Sequence, residues 1–180
     1  MDEFVDIVDD HGNNTGKVCL KSEAHQFGYW HSCIHVWLYT DSGKVLIQKR
    51  AANKDTFPNL WDVSVAGHIG AGEQPLKAAK REVLEEVGFE IKNEELVKIG
   101  TYKTNYKHQE SLIDKEFHHV YITKLTVPLE TLKLQIEEVA ELKLILMNQL
   151  KRELQDEKKS ANYAPYAMTY FNMVFNAIRK

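Results

Sequence analysis

The stretch "GHIGAGEQPLKAAKREVLEEVGFE", residues 67 to 90, changes character halfway along. Three glycines and a histidine come first. A run of Ala, Lys, Arg, Leu and Glu follows and ends in Glu85-Glu86-Val87-Gly88. Gln74-Pro75 suits a helix start and Gly88 suits its end. Between them Leu76, Ala79, Val83 and Val87 recur at helical spacing and mark a buried stripe. Glu82 lies three residues before Glu85 and four before Glu86, so a helix here gathers three carboxylates into one patch. Like charges so placed repel. A solvated acidic face is the ordinary explanation of such a cluster, but it needs no glycine loop in front of it. Glycine backbone lets a ligand approach closely. Hard divalent cations take oxygen ligands, and clustered carboxylates hold Mg²⁺ while the phosphates of a substrate complete its shell. On that reading the acids crowd together because a cation cancels their charge.

Around this stretch, strands and helices alternate irregularly. Residues 4 to 8 read as a strand, then the turn-rich "DDHGNNTGK" and a short extended piece near Val18 to Leu20 complete a hairpin. "SCIHVWLYT" (32 to 40) and "KVLIQKR" (44 to 50) flank "DSGK" and read as a second hairpin. "LWDVSVAG" (60 to 67) reads as one strand that stops at glycine. Further strands are expected at about 96 to 106, 117 to 126 and 139 to 147, with "TNYKHQESLIDK" (104 to 115) as a loop. Helices are expected at 148 to 156 and 164 to 179, forming a C-terminal helical segment over about 148 to 180. A mixed sheet with helices packed on it follows from that order.

With 180 residues, 43% of them apolar and 27% charged, the chain fits one globular domain with a real core. A net charge of -3 offers no basic face to a nucleic-acid backbone, so no polymeric nucleic acid is expected as a partner. Cys19 and Cys33 cannot make a disulfide framework, and they are expected to pack as thiols in a reducing compartment. No apolar run reaches membrane-spanning length, and "MDEFVDIVDD" lacks the basic and apolar regions of a signal peptide. No membrane partner and a cytoplasmic location are the expectation.

The opening stretch resembles the box of the Nudix superfamily, G-x5-E-x7-R-E-U-x-E-E-x-G-U with U bulky and apolar. It matches without a gap at Gly67, Glu73, Arg81, Glu82, Val83, Glu85, Glu86, Gly88 and Phe89. At about 7% usage per residue type, the seven fully specified positions match by chance on the order of 10⁻⁸ per starting point. The resemblance implies one Nudix domain over 1 to 180, an α/β/α sandwich around a mixed β-sheet, with the box at 67 to 89. It also implies Mg²⁺ or Mn²⁺ held by Glu82, Glu85 and Glu86. Gly67 and Arg81 would support the site, Arg81 by orienting the glutamates. Glu73 would support the loop or take a ligand's place.

Beyond the box, "EFVDIVDDHGNNTG", "EAHQFGYWHSCIHVWLY", "VLIQKRAANKDTFPNLWDVSVAGH" and "KEFHHVYI" are similar to the type 1 isopentenyl diphosphate isomerases and their hydrolase-like relatives. This resemblance covers roughly residues 3 to 125. It implies a second metal site at His25, His31, His68, Asp114 and Glu116, and a diphosphate held by Lys21, Arg50 and Lys54. His35, His118 and His119 read as strand residues, and Trp37 and Trp61 as core. The aromatic tail "ANYAPYAMTYFNMVFNAIRK" reads as core packing.

Three departures from the isomerase pattern stand out. The first two histidines are one residue closer together, Asp114 replaces a glutamate, and Ala66 stands where the isomerases carry a proton-transferring cysteine. A methyl group transfers no proton, and Ser64 is a poor substitute at neutral pH. The expectation is therefore a Mg²⁺- or Mn²⁺-dependent hydrolase of a small-molecule diphosphate, such as a nucleoside diphosphate derivative. Glu85, Glu86 and Glu116 are the candidate bases. The alternatives are an isomerase that moves protons with Glu116 and Tyr102, and a non-catalytic ligand-binding module.

Overall fold

A computed structural model of the chain describes residues 2 to 179. Met1 and Lys180, the ends of the expected domain, lie outside the described residues. The architecture is α/β, as expected, with a mixed sheet between helices. Strands β1 (Phe4–Val8) and β2 (Asn14–Leu20) form the first hairpin. Between β2 and β3 (His31–Tyr39) runs a short helix that periodicity did not reveal, α1 (Lys21–Phe27). Seven residues are too few to show a 3.6-residue period. It begins where the Glu23 carboxylate accepts the Leu20 N–H at 3.1 Å, and it ends on Gly28 at φ 63°.

The central strand is β3. It pairs antiparallel with β6 (Val65–His68) on one side and parallel with β8 (Leu112–Lys124) on the other. The second hairpin is corrected here, because β3 and β4 (Lys44–Arg50) share the single register pair Tyr39 with Val45. Past the turn they diverge. β4 pairs instead with β5 (Trp61–Asp62) and β9 (Val139–Leu146). Residues 60 to 67 are accordingly two short strands, one serving β4 and the other β3. At the crossing sits Ser64, fully buried, whose hydroxyl accepts the Leu38 N–H at 2.8 Å and donates to the Leu46 carbonyl at 2.5 Å. It replaces ladder bonds that the split strands cannot make.

The expected loop at 104 to 115 is corrected as well. β7 (Val97–Gln109) runs on to Gln109 and pairs with β8 in a long hairpin that turns at Glu110-Ser111. Its residues are polar because one face borders a cavity, and that polarity hid the ends of the two expected strands.

The two-residue alternation of the strands divides the core. Ile34, Val36, Leu38, Leu46 and Val65 face α2 (Pro75–Val87), which buries Ala78, Ala79, Val83 and Val87 against them. On the other face Trp37, Val45, Ile47, Val120 and Ile122 meet α3 (Met147–Gln155) through Leu150 and α5 (Met168–Ile178) through Tyr170, Phe171, Val174 and Phe175. α4 (Glu157–Ser160) links those two helices. Trp37 is core as expected, and the aromatic tail packs as expected except that Tyr166 lines a cavity. Among the described residues, no helix is long and apolar enough to cross a membrane.

Candidate active site

β6 and α2 meet at Gly67, where a Cβ would lie 2.1 Å from Cδ of Glu82. Only glycine lets the Glu82 side chain pass over the strand. From there Glu82, Glu85 and Glu86 reach a cavity of about 360 Å³. Arg81 braces them. Its Nε and Nη2 donate to both oxygens of Glu73 at 3.0 and 2.9 Å, and its Nη1 donates to Glu82 at 2.6 Å and Glu85 at 3.2 Å. Such two-pronged, charge-assisted bonds fix geometry. Glu73 also accepts the Gly70 N–H at 3.0 Å, which ties it to the loop.

Burial raises the carboxyl pKa of Glu82 to about 7 against the pull of Arg81. Burial, then Glu82 and Glu138, push Glu86 well above the ordinary range. The Glu86 carboxylate accepts one bond from the Gln48 amide at 3.1 Å. Crowded together at one cavity, these carboxylates suit a hard divalent cation.

A second donor cluster lines the same cavity. His25 comes from α1, His31 from β3, His68 from the end of β6 and Glu116 from β8. Their ligand atoms all lie within 4.8 Å of one another. Nε2 of His31 and of His68 are each 3.5 Å from Oε1 of Glu116, and Nε2 of His25 is 3.3 Å from that of His68. Donors about 2.1 Å from one tetrahedral ion stand roughly 3.4 Å apart, so the spacing fits a single ion. His31 donates Nδ1–H to the Tyr29 carbonyl at 3.0 Å, which orients the ring with Nε2 toward Glu116. That buried nitrogen makes no hydrogen bond among the described residues, with Glu116 as its ion-pair neighbour at 3.5 Å. The His25 pKa falls to about 3, through burial and then the neighbouring His68 and His31, so its imidazole stays neutral and able to ligate. Asp114 borders this group, with a buried Oδ1 that makes no hydrogen bond among the described residues. It is 3.9 Å from His25, and its Oδ2 is bound by His108 Nε2 at 2.9 Å.

The three expected phosphate-binding cations line the cavity, each resting on an acid. Lys21 meets Glu3 at 3.2 Å, Arg50 meets Asp62 at 3.2 Å, and Lys54 meets Glu138. Ala66 also lines the wall, with only a methyl group to offer. Tyr102 does not stand in for the absent cysteine. It packs in the second core, and its hydroxyl accepts the Ala167 N–H at 3.3 Å.

Sequence reasoning passed over several wall residues, among them Cys33, His35, Thr104, His118 and Tyr166. A signal was there. His31-x-Cys33-x-His35 and Asp114-x-Glu116-x-His118 alternate with period two, and the register sets Cys33 beside both His68 and His118. Burial lowers the pKa of both His35 and His118 to about 3, so both rings are neutral.

The sequence model of the NUDIX domain matches residues 30–167, and the chain belongs to the Nudix family. An uncharacterised Nudix hydrolase of Clostridium acetobutylicum is 40% identical over 159 residues, 87% of this chain and 76% of that protein. An isopentenyl-diphosphate Delta-isomerase of Photorhabdus laumondii is 35% identical over 122 residues, 68% of this chain and 67% of that protein. The crystal structure of DR0079 from Deinococcus radiodurans shares the fold, with a TM-score of 0.71 and 20% identity over 95% of this chain and 97% of that one.

Proposed function

We propose that the chain is a Mg²⁺- or Mn²⁺-dependent hydrolase that cleaves a diphosphate linkage in a small molecule, such as a nucleoside diphosphate derivative. The observation that carries this is a single cavity lined both by Glu82, Glu85 and Glu86 and by Lys21, Arg50 and Lys54. Acids that hold a cation and cationic side chains that neutralise phosphate charge, gathered in one cavity, suit a bound diphosphate. Glu82, Glu85 and Glu86 are the proposed ligands of the catalytic cation, which when bound neutralises phosphoryl charge and activates water. His25, His31, His68, Asp114 and Glu116 are the proposed second site, with His108 holding Asp114.

Lys21, Arg50 and Lys54 exchange Glu3, Asp62 and Glu138 for the phosphates. Glu85, Glu86 and Glu116 remain the candidates for the base that takes the proton of water. The whole activity is assigned to one Nudix domain, because α5 buries Tyr170, Phe171 and Val174 in the core rather than standing apart.

The isomerase reading draws on the histidine cluster and on the likeness to an isomerase. Ala66 and the position of Tyr102 leave it without a thiol at the position where the isomerases carry one and without the Tyr102 hydroxyl, while Cys33 and Tyr166 line other parts of the wall. A purely ligand-binding role does not explain why all three box carboxylates are retained. Phosphorus NMR with Mg²⁺ or Mn²⁺ against nucleoside diphosphates, nucleotide sugars, dinucleotides and isopentenyl diphosphate tests the proposal. New monophosphate or orthophosphate signals support hydrolysis. Conversion of the alkene with the diphosphate intact refutes it in favour of isomerisation.

A further inference from the structure

Two imidazoles that the proposed chemistry does not use stack on the cavity wall, those of His35 and His118, with ring centroids 4.1 Å apart. Each has one nitrogen engaged. Nδ1 of His35 is 2.8 Å from the Tyr170 hydroxyl, and Nε2 of His118 is 2.8 Å from the Thr104 hydroxyl. The Trp37 indole, which can only donate, gives its N–H to the same Tyr170 oxygen at 2.9 Å. Tyr170 therefore directs its own proton to Nδ1 of His35, and a neutral ring so bound carries its proton on Nε2. That N–H meets the Tyr166 hydroxyl at 3.5 Å, the outer limit of a hydrogen bond. Nδ1 of His118 is buried and has no partner among the described residues. Across the β3–β6 pair from His35 stands Ala66, which adds only a methyl group.

We infer that His35 and His118, with Tyr166 and Thr104 beside them, form a hydrogen-bonding subsite for hydroxyl groups on the organic moiety of the diphosphate substrate. The inference rests on the diphosphate reading and narrows it to hydroxylated substrates. A saturated or alkenyl chain in this position would leave buried polar atoms unpaired, which a site so lined rejects. Apolar binding would call for aliphatic residues where these imidazoles stand.

The test compares a pair of ligands with one carbon skeleton, 3-methylbutyl diphosphate and 3,4-dihydroxy-3-methylbutyl diphosphate, with inorganic pyrophosphate as the reference. Calorimetry is run in Ca²⁺, which is expected to support binding without turnover. The dihydroxy compound should bind about tenfold or more tightly than the alkyl one, and His35→Leu and Tyr166→Phe should each move that ratio toward one. The ratio is the readout, so a general loss of affinity does not imitate the result, and the wild-type comparison stands even if a variant fails to fold. A wild-type ratio of one or below, or a ratio unchanged in both variants, overturns the inference while pyrophosphate binding leaves the diphosphate site intact. Failure to bind pyrophosphate overturns both.

Discussion

Gly67→Ala puts the proposed cation site under the sharpest test, because it replaces none of the proposed ligands and acts on Glu82 by sterics alone. The added Cβ would lie 2.1 Å from Cδ, 2.5 Å from Cγ and 2.5 Å from Oε1 of Glu82. Gly67 is not among the residues of positive φ, so alanine costs the backbone little. The three nearest atoms all belong to one side chain, that of Glu82, which can swing away. Stability should therefore fall by no more than about 1 to 2 kcal/mol, or roughly 2 to 8 °C in Tm for a chain of this size. Displaced, Glu82 loses its 2.6 Å bond from Arg81 and its place beside Glu86. Disturbing a carboxylate in or beside a metal shell costs about 10- to 100-fold in affinity. Mn²⁺ titration followed by EPR, with thermal unfolding in parallel, measures both. Gly70→Ala is the control, since its Cβ would meet Glu73 at an ordinary 3.4 Å. Mn²⁺ affinity unchanged in Gly67→Ala, with the fold intact, would refute the placing of the cation at Glu82.

Ser64→Ala removes the hydroxyl that joins β3 to β4 and leaves the buried Leu38 N–H unpaired, at a cost of about 1 to 3 kcal/mol. A Tm within 1 °C of wild type, measured by calorimetry, would contradict that role. Glu85→Gln should lower kcat by at least about 100-fold while leaving the circular dichroism spectrum unchanged, and a wild-type rate of phosphate release would remove Glu85 from the chemistry. His31→Ala should abolish binding of one equivalent of Co²⁺ or Zn²⁺, counted by metal analysis after dialysis, while Mn²⁺ binding at the box carboxylates persists. Loss of both together would mean that the two clusters are a single site.

The helix Pro75–Val87 was legible because its evidence is local. Proline at the first turn, glycine at the end and an apolar stripe between them act within a few residues of one another. The same spacing set Glu82, Glu85 and Glu86 together, and the strand at 31 to 39 announced itself by β-branched and aromatic content. Legibility failed where pairing partners are remote. The turn at 40 to 43 looks like that of a hairpin, yet β3 takes β6 and β8 while β4 takes β9, and no residue near the turn records that choice. The turn end of the β7–β8 hairpin was hidden because its cavity face carries Thr104, Tyr106, Asp114 and Glu116 rather than apolar residues. A polar interior face and a loop read alike in one dimension.

The sequence by itself determined the acid-bearing helix, the glycine that must precede it and the α/β class, since each follows from short-range sterics and periodicity. Only the tertiary structure decided that α1 carries His25 to His31 and His68, that Asp114 turns toward His108, and that His35 and His118 stack on the cavity wall. Those meetings depend on which strands lie side by side, and that is fixed by burying two apolar faces of one sheet at once.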